Sequence, residues 1–322
     1  MGDKKMNSQI KTLAGKRCQR LRSYENDTTS VDNINNGPAP LLDAVITVLT
    51  TANRANKLIT RDENGKIDKK PGKPISNAVA QTINVPDADS MAAVLRMVAD
   101  DPKKVIVPSG YLPGTAPLVE EPLAAGEEFH ISSMAYIAKH KGINKDCRED
   151  LLGWHKINGQ WHIARVKDNT LPTNWTYLDR DVVDGTPPHH ADMTDEEYIA
   201  AMEELVPGLA GVPIVMCPSS TGRVLVDGEP MAASGRHYYF QIQDGSDLER
   251  FGATLLQRSF LQGHGFMKPI YSTKNRDEVV GERQWSIFDP STFSRERIVY
   301  EGAPTIRGKG LALAPTKIEI FE

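Results

Sequence analysis

The stretch Trp175-Thr-Tyr-Leu-Asp-Arg-Asp181 decides the fold and the chemistry predicted for this chain. Aromatic, β-branched and aliphatic residues, which favour strands, precede two carboxylates that stand one residue apart. Successive side chains of a strand point to opposite faces, so Asp179 and Asp181 are expected on one face of a sheet. Two crowded carboxylates repel each other unless a cation lies between them, and a divalent metal ion is the usual cation.

Composition limits the classes of protein to which the chain can belong. Its 322 residues suffice for one large domain or two closely packed lobes, and a net charge of −4 confines any nucleic-acid surface to a local patch. Cys18, Cys147 and Cys217 are odd in number and widely separated, which favours a reducing compartment. No apolar run approaches the about 20 residues of a membrane helix, and no secretory apolar core opens the chain. We therefore expect a cytoplasmic protein that is neither exported nor bound in a membrane.

Two segments are predicted outside regular structure, and the rest alternates strands with helices. Residues 1–37 are predicted to form a flexible basic arm and linker, and residues 112–128 a surface loop. Before the acids, apolar periodicity predicts a helix over 88–99, and Asn64-Gly65 and Asn158-Gly159 predict two hairpin turns.

After the acids, Thr194 to Glu197 has the sequence of a capping box that opens a second helix. The remaining predicted elements are strands at 214–217, 223–226 and 236–242, a helix capped by Ser246 that runs to about Leu261, and a last strand at 285–289. The alternation indicates an α+β or α/β sheet protein.

Three short elements follow one another in a set order. They are Leu178-Asp-Arg-Asp181, Gly235-Arg-His237 and Phe288-Asp289. This order resembles the archaeo-eukaryotic primase superfamily, in which an acid pair is followed by a small-x-His element and then by an apolar-Asp element. The flanking segments 218–222, 261–265 and 289–297 look like the primase-polymerase domains of phage and mobile-element replication proteins. The resemblance is specific over residues 165–305, and it leaves the third acid Asp184 unexplained.

The resemblance implies an α+β primase fold. An αβ N-terminal part, residues 38–165 of a domain spanning 38–322, would pack on a sheet lobe like the RNA-recognition fold. The motif-bearing catalytic part would span residues 166–310, with the active site in the groove between the two parts. The implied function is a nucleotidyltransferase, a DNA primase or polymerase that makes or extends primers from NTPs or dNTPs on single-stranded DNA.

The resemblance also assigns roles to individual residues. Asp179, Asp181 and Asp289 would be catalytic and would hold Mg²⁺ or Mn²⁺, because paired divalent ions stabilise charge on the attacking and leaving oxygens. The candidate triphosphate contacts are His237, Arg236, Ser219, Ser220 and Arg223. Strand alternation places Arg236 and His237 on opposite faces, and the resemblance favours His237.

Template and partners are predicted with less detail. On the hairpin before the acids and just after it, Trp161, Arg165 and Lys167 are candidates for stacking on template bases and contacting phosphates. No Gly-x-x-x-x-Gly-Lys-Ser/Thr motif is present, so a replicative helicase is expected from another chain or from a missing C-terminal domain.

Several alternatives stay open at this stage. An Asp-x-Asp pair also marks sugar-nucleotide glycosyltransferases, and a metal-dependent nuclease or a catalytically silent initiator domain that binds an origin or single-stranded DNA fits a mobile element. At the level of residues, Arg180 can neutralise the acids, His237 can be a structural histidine, and Asp289 can cap a turn.

Overall fold

A computed structural model describes residues 44–72, 74–111, 127–231, 235–275 and 277–322. The predicted basic arm and nearly all of the loop predicted at 112–128 lie outside these ranges. The strands are β1 Val45–Thr50, β2 Leu58–Arg61, β3 Ile67–Lys70, β4 Asn77–Asn84, β5 Lys104–Val107, β6 Gly110–Tyr111, β7 Glu128–Ser132, β8 Trp154–Ile157, β9 Gln160–Ala164, β10 Thr170–Leu171, β11 Trp175–Arg180, β12 Ile214–Pro218, β13 Val224–Val226, β14 Glu229–Pro230, β15 Arg236–Gln241, β16 Gly265–Tyr271, β17 Val279–Ser286, β18 Thr305–Arg307, β19 Leu311–Leu313 and β20 Glu319–Phe321. The helices are α1 Ala88–Ala99, α2 Met134–Lys141, α3 Pro188–Ala191, α4 Asp195–Leu205 and α5 Leu248–Leu261.

The first sheet has six strands in the order β5-β1-β4-β7-β9-β8. Only β7 and β9 run parallel in it. The predicted hairpin around Asn158-Gly159 is confirmed as β8 and β9, and both turn residues have positive φ, 52° and 82°. Positive φ at both central residues is the conformation that Asn-Gly turns supply to hairpins. The second predicted hairpin, around Asn64-Gly65, is confirmed as β2 and β3.

The second sheet is antiparallel and has the order β11-β15-β12-β20. Three of its strands and the two helices that pack on them come along the chain in the order β11, α4, β12, β15, α5, which is the order of a split β-α-β unit. Helices α4 and α5 cover one face, where Leu178, Tyr238 and Phe240 are buried with Tyr198 and Leu255. The capping box predicted for α4 is present, since Thr194 Oγ1 accepts from the Glu197 N–H and Glu197 Oε2 accepts from the Thr194 N–H.

Helix α1 joins the two sheets. Its bounds are those predicted, and Asp87 caps it by accepting a 2.8 Å hydrogen bond from the Ser90 N–H. The apolar side of α1, which includes Met91 and Leu95, shares one core with Ile46 of the first sheet and Tyr239 of the second. The fold is therefore mixed α+β, as predicted, and the second sheet is covered by helices on both faces.

Two predicted boundaries differ from the structure. Helix α5 is not capped by Ser246, because a 3₁₀ turn over Gly245–Asp247 precedes it and the Asp244 side chain caps that turn. The strand predicted at 285–289 spans Val279–Ser286 instead, so Asp289 stands in a turn three residues later. Pro290 has no N–H to donate to a sheet ladder, which fits this early end. Strand β17 is not the last strand either, because β18, β19 and β20 follow it. None of the helices in the described ranges has the length and apolarity to cross a membrane.

The shared core makes Leu95 a test of the packing between the two sheets. Leu95 is fully buried, whereas Met97 on the same helix is 46% exposed. Leu95→Ala should lower the free energy of unfolding by about 2–5 kcal/mol through a cavity between the sheets. Met97→Ala should change it by less than about 0.5 kcal/mol, because its side chain has little packing to lose. Urea unfolding followed by circular dichroism measures both, and equal losses would contradict this packing.

Candidate active site

The pairing of β11 with β15 brings two of the three predicted elements together. Asp179 is the direct cross-strand partner of His237, and residues opposite each other share a face of the sheet. Arg180 and Arg236 face the opposite side, where both form ion pairs with Asp195, at 3.5 and 3.0 Å. The alternation expected of Arg236 and His237 is therefore observed, and Arg236 lies away from the acids.

A cavity of about 530 Å³ opens beside this face. The two acids, Asp179 and Asp181, called here the acid pair, contribute to its wall together with His237, Ser219 and Ser220. Three basic side chains also line this cavity and are called here its basic wall, and they are Lys57, Arg165 and Arg297. One cavity thus combines the acid pair and Glu296 with several cationic groups.

His237 is buried between carboxylates. Its Nδ1–H donates to Glu301 Oε1 at 2.7 Å, and its Nε2 lies 3.4 Å from Asp179 Oδ1. Burial opposes a charge on His237, but the charges of Glu301 and Asp179 outweigh this effect and raise the pKa of the imidazole well above its ordinary value. Glu301 is itself fully buried and also accepts from the Tyr239 hydroxyl. The two carboxylates therefore favour the imidazolium form of His237.

The two acids of the pair differ in their titration. Burial favours a neutral Asp179, yet charged His237, with Lys57 and Arg297 nearby, lowers the pKa of this carboxyl. The pKa of Asp181 is raised, first because the cavity walls partly desolvate its carboxyl and then because Asp179 is charged. Asp179 Oδ1 is buried and has no hydrogen bond within the described ranges. Asp179 Oδ1 thus has only the long ion pair with His237 Nε2 at 3.4 Å, and the ionised form of Asp181 is disfavoured. A bound cation would stabilise both carboxylates.

Gly235 explains why a small residue precedes His237 by two positions. A Cβ at Gly235 would lie 2.4 Å from Asp181 Oδ1 and 2.9 Å from Ser219 Oγ. The Gly235 carbonyl also accepts from the Ser219 N–H at 2.9 Å, which ties the turn after β12 to the acid pair. Any larger residue here would displace the acids or the serine turn.

Asp289 reaches the acid pair through its backbone. Its N–H donates to the Asp179 carbonyl at 2.8 Å, so the third predicted element lies beside the first. The Asp289 carboxylate, however, accepts from the Ser291 N–H at 2.8 Å and caps the 3₁₀ turn Pro290–Thr292. Among the residues that the structure describes, no three His, Cys, Asp or Glu side chains converge where a metal ion could be held. The expected three-carboxylate cluster is thus seen as a pair with Asp289 adjacent.

Two arginines predicted to contact a nucleotide have other partners. Arg223 is buried and donates to the Ala99 carbonyl at 2.6 Å and to Asp100 Oδ1 at 2.8 Å, which fastens β13 to the end of α1. Arg236 pairs with Asp195. Neither lines the cavity. Ser219 and Ser220 do line it, and their predicted contact with a triphosphate stays a prediction.

The three residues predicted to bind template separate in the structure. Arg165 lines the cavity and donates to the Glu296 carbonyl at 2.9 Å. Lys167 pairs instead with Glu249, and Lys156 covers the Trp161 ring at 5.4 Å. Of the three, only Arg165 belongs to the wall beside the acid pair.

The sequence patterns did not indicate Glu301 or Lys57 as site residues, and they gave no role to Arg297. Glu301 lies 64 residues after His237, and no local pattern marks it. Lys57 comes from the opposite end of the chain. Arg297 ends the segment 289–297 that carried the family resemblance, and this was the one available signal.

The acid pair is compatible with Mg²⁺ or Mn²⁺. Magnesium is commonly held by one or two carboxylates and completed by substrate phosphates and water, so a full protein cage is not required. Asp179 and Asp181, which both line the cavity, would supply those two carboxylates. Comparison of the chain with protein-family models, curated proteins and solved structures gives no match.

The His237–Glu301 pair predicts a histidine that remains charged above neutral pH. In NMR titrations of labelled histidine, His237 should keep its imidazolium shift at pH 7.5, and Glu301→Gln should lower its titration midpoint. Glu296→Gln removes a carboxylate that lines the same cavity without bonding to His237, and it should shift the midpoint less. A neutral His237 at pH 7 in the unmodified protein would contradict this electrostatic account.

The same pair predicts how stability depends on pH. The folded pKa of His237 lies above its unfolded value of 6.5, so the folded state binds the extra proton. Its contribution to stability should be complete below about pH 6.5 and should decline as the pH rises through the folded pKa. Urea unfolding of the unmodified protein and of Glu301→Gln from pH 6 to pH 9 should show a smaller decline in the variant. Parallel pH curves would contradict this assignment.

Proposed function

We propose that this chain is a primase-polymerase, a nucleotidyltransferase that makes or extends primers on a single-stranded DNA template. The observation that carries the proposal is one cavity in which an acid pair faces a buried imidazolium and three basic side chains. Such a cavity suits a nucleoside triphosphate for two reasons. The phosphates bind cationic side chains, and their transfer needs a metal ion, for which the carboxylates are ligands.

Triphosphate binding is the role proposed for the basic wall. Lys57 and Arg297 have no ion pair within the part of the chain that the structure describes, so their charge is available to phosphate oxygens. The hydroxyl groups of Ser219 and Ser220, which line the same cavity, add neutral donors. His237 adds a cation fixed in place by Glu301.

The acid pair is the proposed metal ligand. When bound, Mg²⁺ or Mn²⁺ stabilises negative charge on the attacking and leaving oxygens. His237 favours the ionised form of Asp179, whereas the raised pKa of Asp181 disfavours the ionised carboxylate that a metal ion binds. Metal binding should therefore strengthen as the pH rises through the pKa of Asp181.

The relation among the three elements favours nucleotidyl transfer over the alternatives. A glycosyltransferase with an Asp-x-Asp pair gives no reason for a charged histidine opposite the first acid or for Asp289 bonded to its backbone. The split β-α-β order of the second sheet also agrees with the lobe that the family resemblance implies. The proposal includes NTP or dNTP substrates, a cytoplasmic location and a helicase supplied by another chain or region.

Loss of the acid pair should abolish nucleotide incorporation. With Mg²⁺ or Mn²⁺, the unmodified chain should add labelled nucleotides on single-stranded DNA, and Asp179→Asn/Asp181→Asn should add none. Asp184→Asn is the matched control, because Asp184 belongs to the same segment but does not line the cavity. Incorporation by the double variant, or none by the unmodified chain, would contradict the proposal. Shortening of an end-labelled strand without nucleotides would identify a nuclease instead.

Gly235→Ala tests whether the acids must stay in place. The added Cβ would press on Asp181 and Ser219. A displacement of these side chains by about 1 Å should lower incorporation by about 100-fold. Gly208→Ala is the control, since nothing lies within 4 Å of a Cβ there. Thermal unfolding of both variants checks that each still folds. Full activity in a folded Gly235→Ala variant would contradict the claim that a side chain at position 235 displaces Asp181 or Ser219.

A further inference from the structure

Strands β16 and β17 form a two-stranded hairpin, called here the β16–β17 hairpin, next to the acid pair. Strand β17 ends three residues before Asp289. The charges of Asp181, Asp289 and Asp184 all act on Lys268 of β16. The hairpin therefore extends from the edge of the proposed active site.

Two cations stand directly opposite each other on this hairpin. Lys268 is the cross-strand partner of Arg283, and their charged groups lie over the same Trp285 ring, at 3.8 and 4.5 Å. Like charges in this position destabilise a pair of strands. Partial burial, followed by the charge of Arg283, lowers the pKa of Lys268. The free protein thus holds these two charges together against their mutual repulsion.

No acceptor in the described ranges compensates for this arrangement. Neither Lys268 nor Arg283 has a carboxylate within 4.0 Å there. Trp285 is 5% exposed, and its indole N–H is buried without an acceptor among the same residues. Two cations without a carboxylate partner are complementary to a bound phosphate.

The rest of the hairpin is unusually apolar for an exposed surface. Met267, Ile270, Tyr271, Val279 and Val280 are each between 39% and 59% exposed. Ile270 stands two residues after Lys268 on β16 and therefore on the same face, whereas Met267 points to the other face. An exposed apolar group beside cations suits a single strand of nucleic acid, because its unpaired bases can pack on apolar side chains while its phosphates contact the basic ones.

We propose that the β16–β17 hairpin binds single-stranded nucleic acid, with Lys268 and Arg283 holding a backbone phosphate and the apolar side chains holding adjacent bases. The inference rests on the proposed function, to which it adds a surface that leads a strand to the acid pair. This surface differs from the one predicted around Arg165, Lys167 and Trp161. Lys167 there is already paired with Glu249.

Binding of a fluorescent oligothymidylate, measured by anisotropy without metal ion or nucleotide, tests this surface. Lys268→Gln/Arg283→Gln should weaken binding about 10-fold or more, and the slope of log K against log salt should become shallower by about 1.4, because two contacts to single-strand phosphates are lost. The matched control is Lys139→Gln/Lys145→Gln, which removes the same charge from exposed positions elsewhere. The control should keep the affinity and the slope within a factor of about two of the unmodified protein.

Three results would overturn the inference. The first is unchanged affinity and slope in a hairpin variant whose thermal unfolding shows that it folds. The second is weaker binding of a fluorescent nucleoside triphosphate with unchanged oligonucleotide binding, which would assign the two cations to the nucleotide. The third is a molecular mass, measured by light scattering, that differs between the hairpin variant and the unmodified protein. That result would identify the hairpin as an interface between copies of this chain. The oligothymidylate binding assay contains no metal ion and no nucleotide. Its result therefore stands even if the chain turns out not to catalyse nucleotidyl transfer.

Discussion

The imidazolium of His237, buried between Glu301 and Asp179, is the interaction on which the site depends. A buried charge is costly unless it is paired and hydrogen-bonded, and Glu301 provides both at 2.7 Å. The charged ring in turn lowers the pKa of Asp179 and keeps that acid ionised beside Asp181. One fully buried carboxylate thus sets the charge of a histidine, and the histidine sets the charge of the acid that faces the cavity.

The fold supplies the positions that this pair requires. Antiparallel pairing of β11 with β15 places Asp179 opposite His237, and the alternation of strand side chains sends Arg180 and Arg236 to the helical face. Helix α1 packs the same sheet against the first sheet, and the segment from Ser294 to Tyr300 forms part of the cavity wall. Strand β18 then pairs in parallel with β2 and ties the C-terminal region to the strand that follows Lys57. Basic residues distant in sequence are thereby brought to the same cavity as the acids.

The helices and turns that were predicted correctly from the sequence are those that local residue patterns encode. Helical periodicity defined α1, Asn-Gly defined two hairpin turns, and the Thr194 box defined the start of α4. Strand alternation also separated Arg236 from His237 correctly. The roles of Glu301 and Lys57 were beyond reach, since burial of Glu301 and the approach of Lys57 arise only when distant segments pack. Arg223 was misplaced for the same reason, because its partners at the end of α1 lie 123 residues or more away. Whether the acid pair performs nucleotidyl transfer stays a prediction.

A crystal structure of the protein with Mn²⁺ and a non-hydrolysable nucleoside triphosphate tests the central claim most directly. The account predicts anomalous density for Mn²⁺ at the carboxylates of Asp179 and Asp181, with the triphosphate in the cavity against Lys57, Arg297 and His237. Manganese bound elsewhere, or a triphosphate outside this cavity, would contradict it.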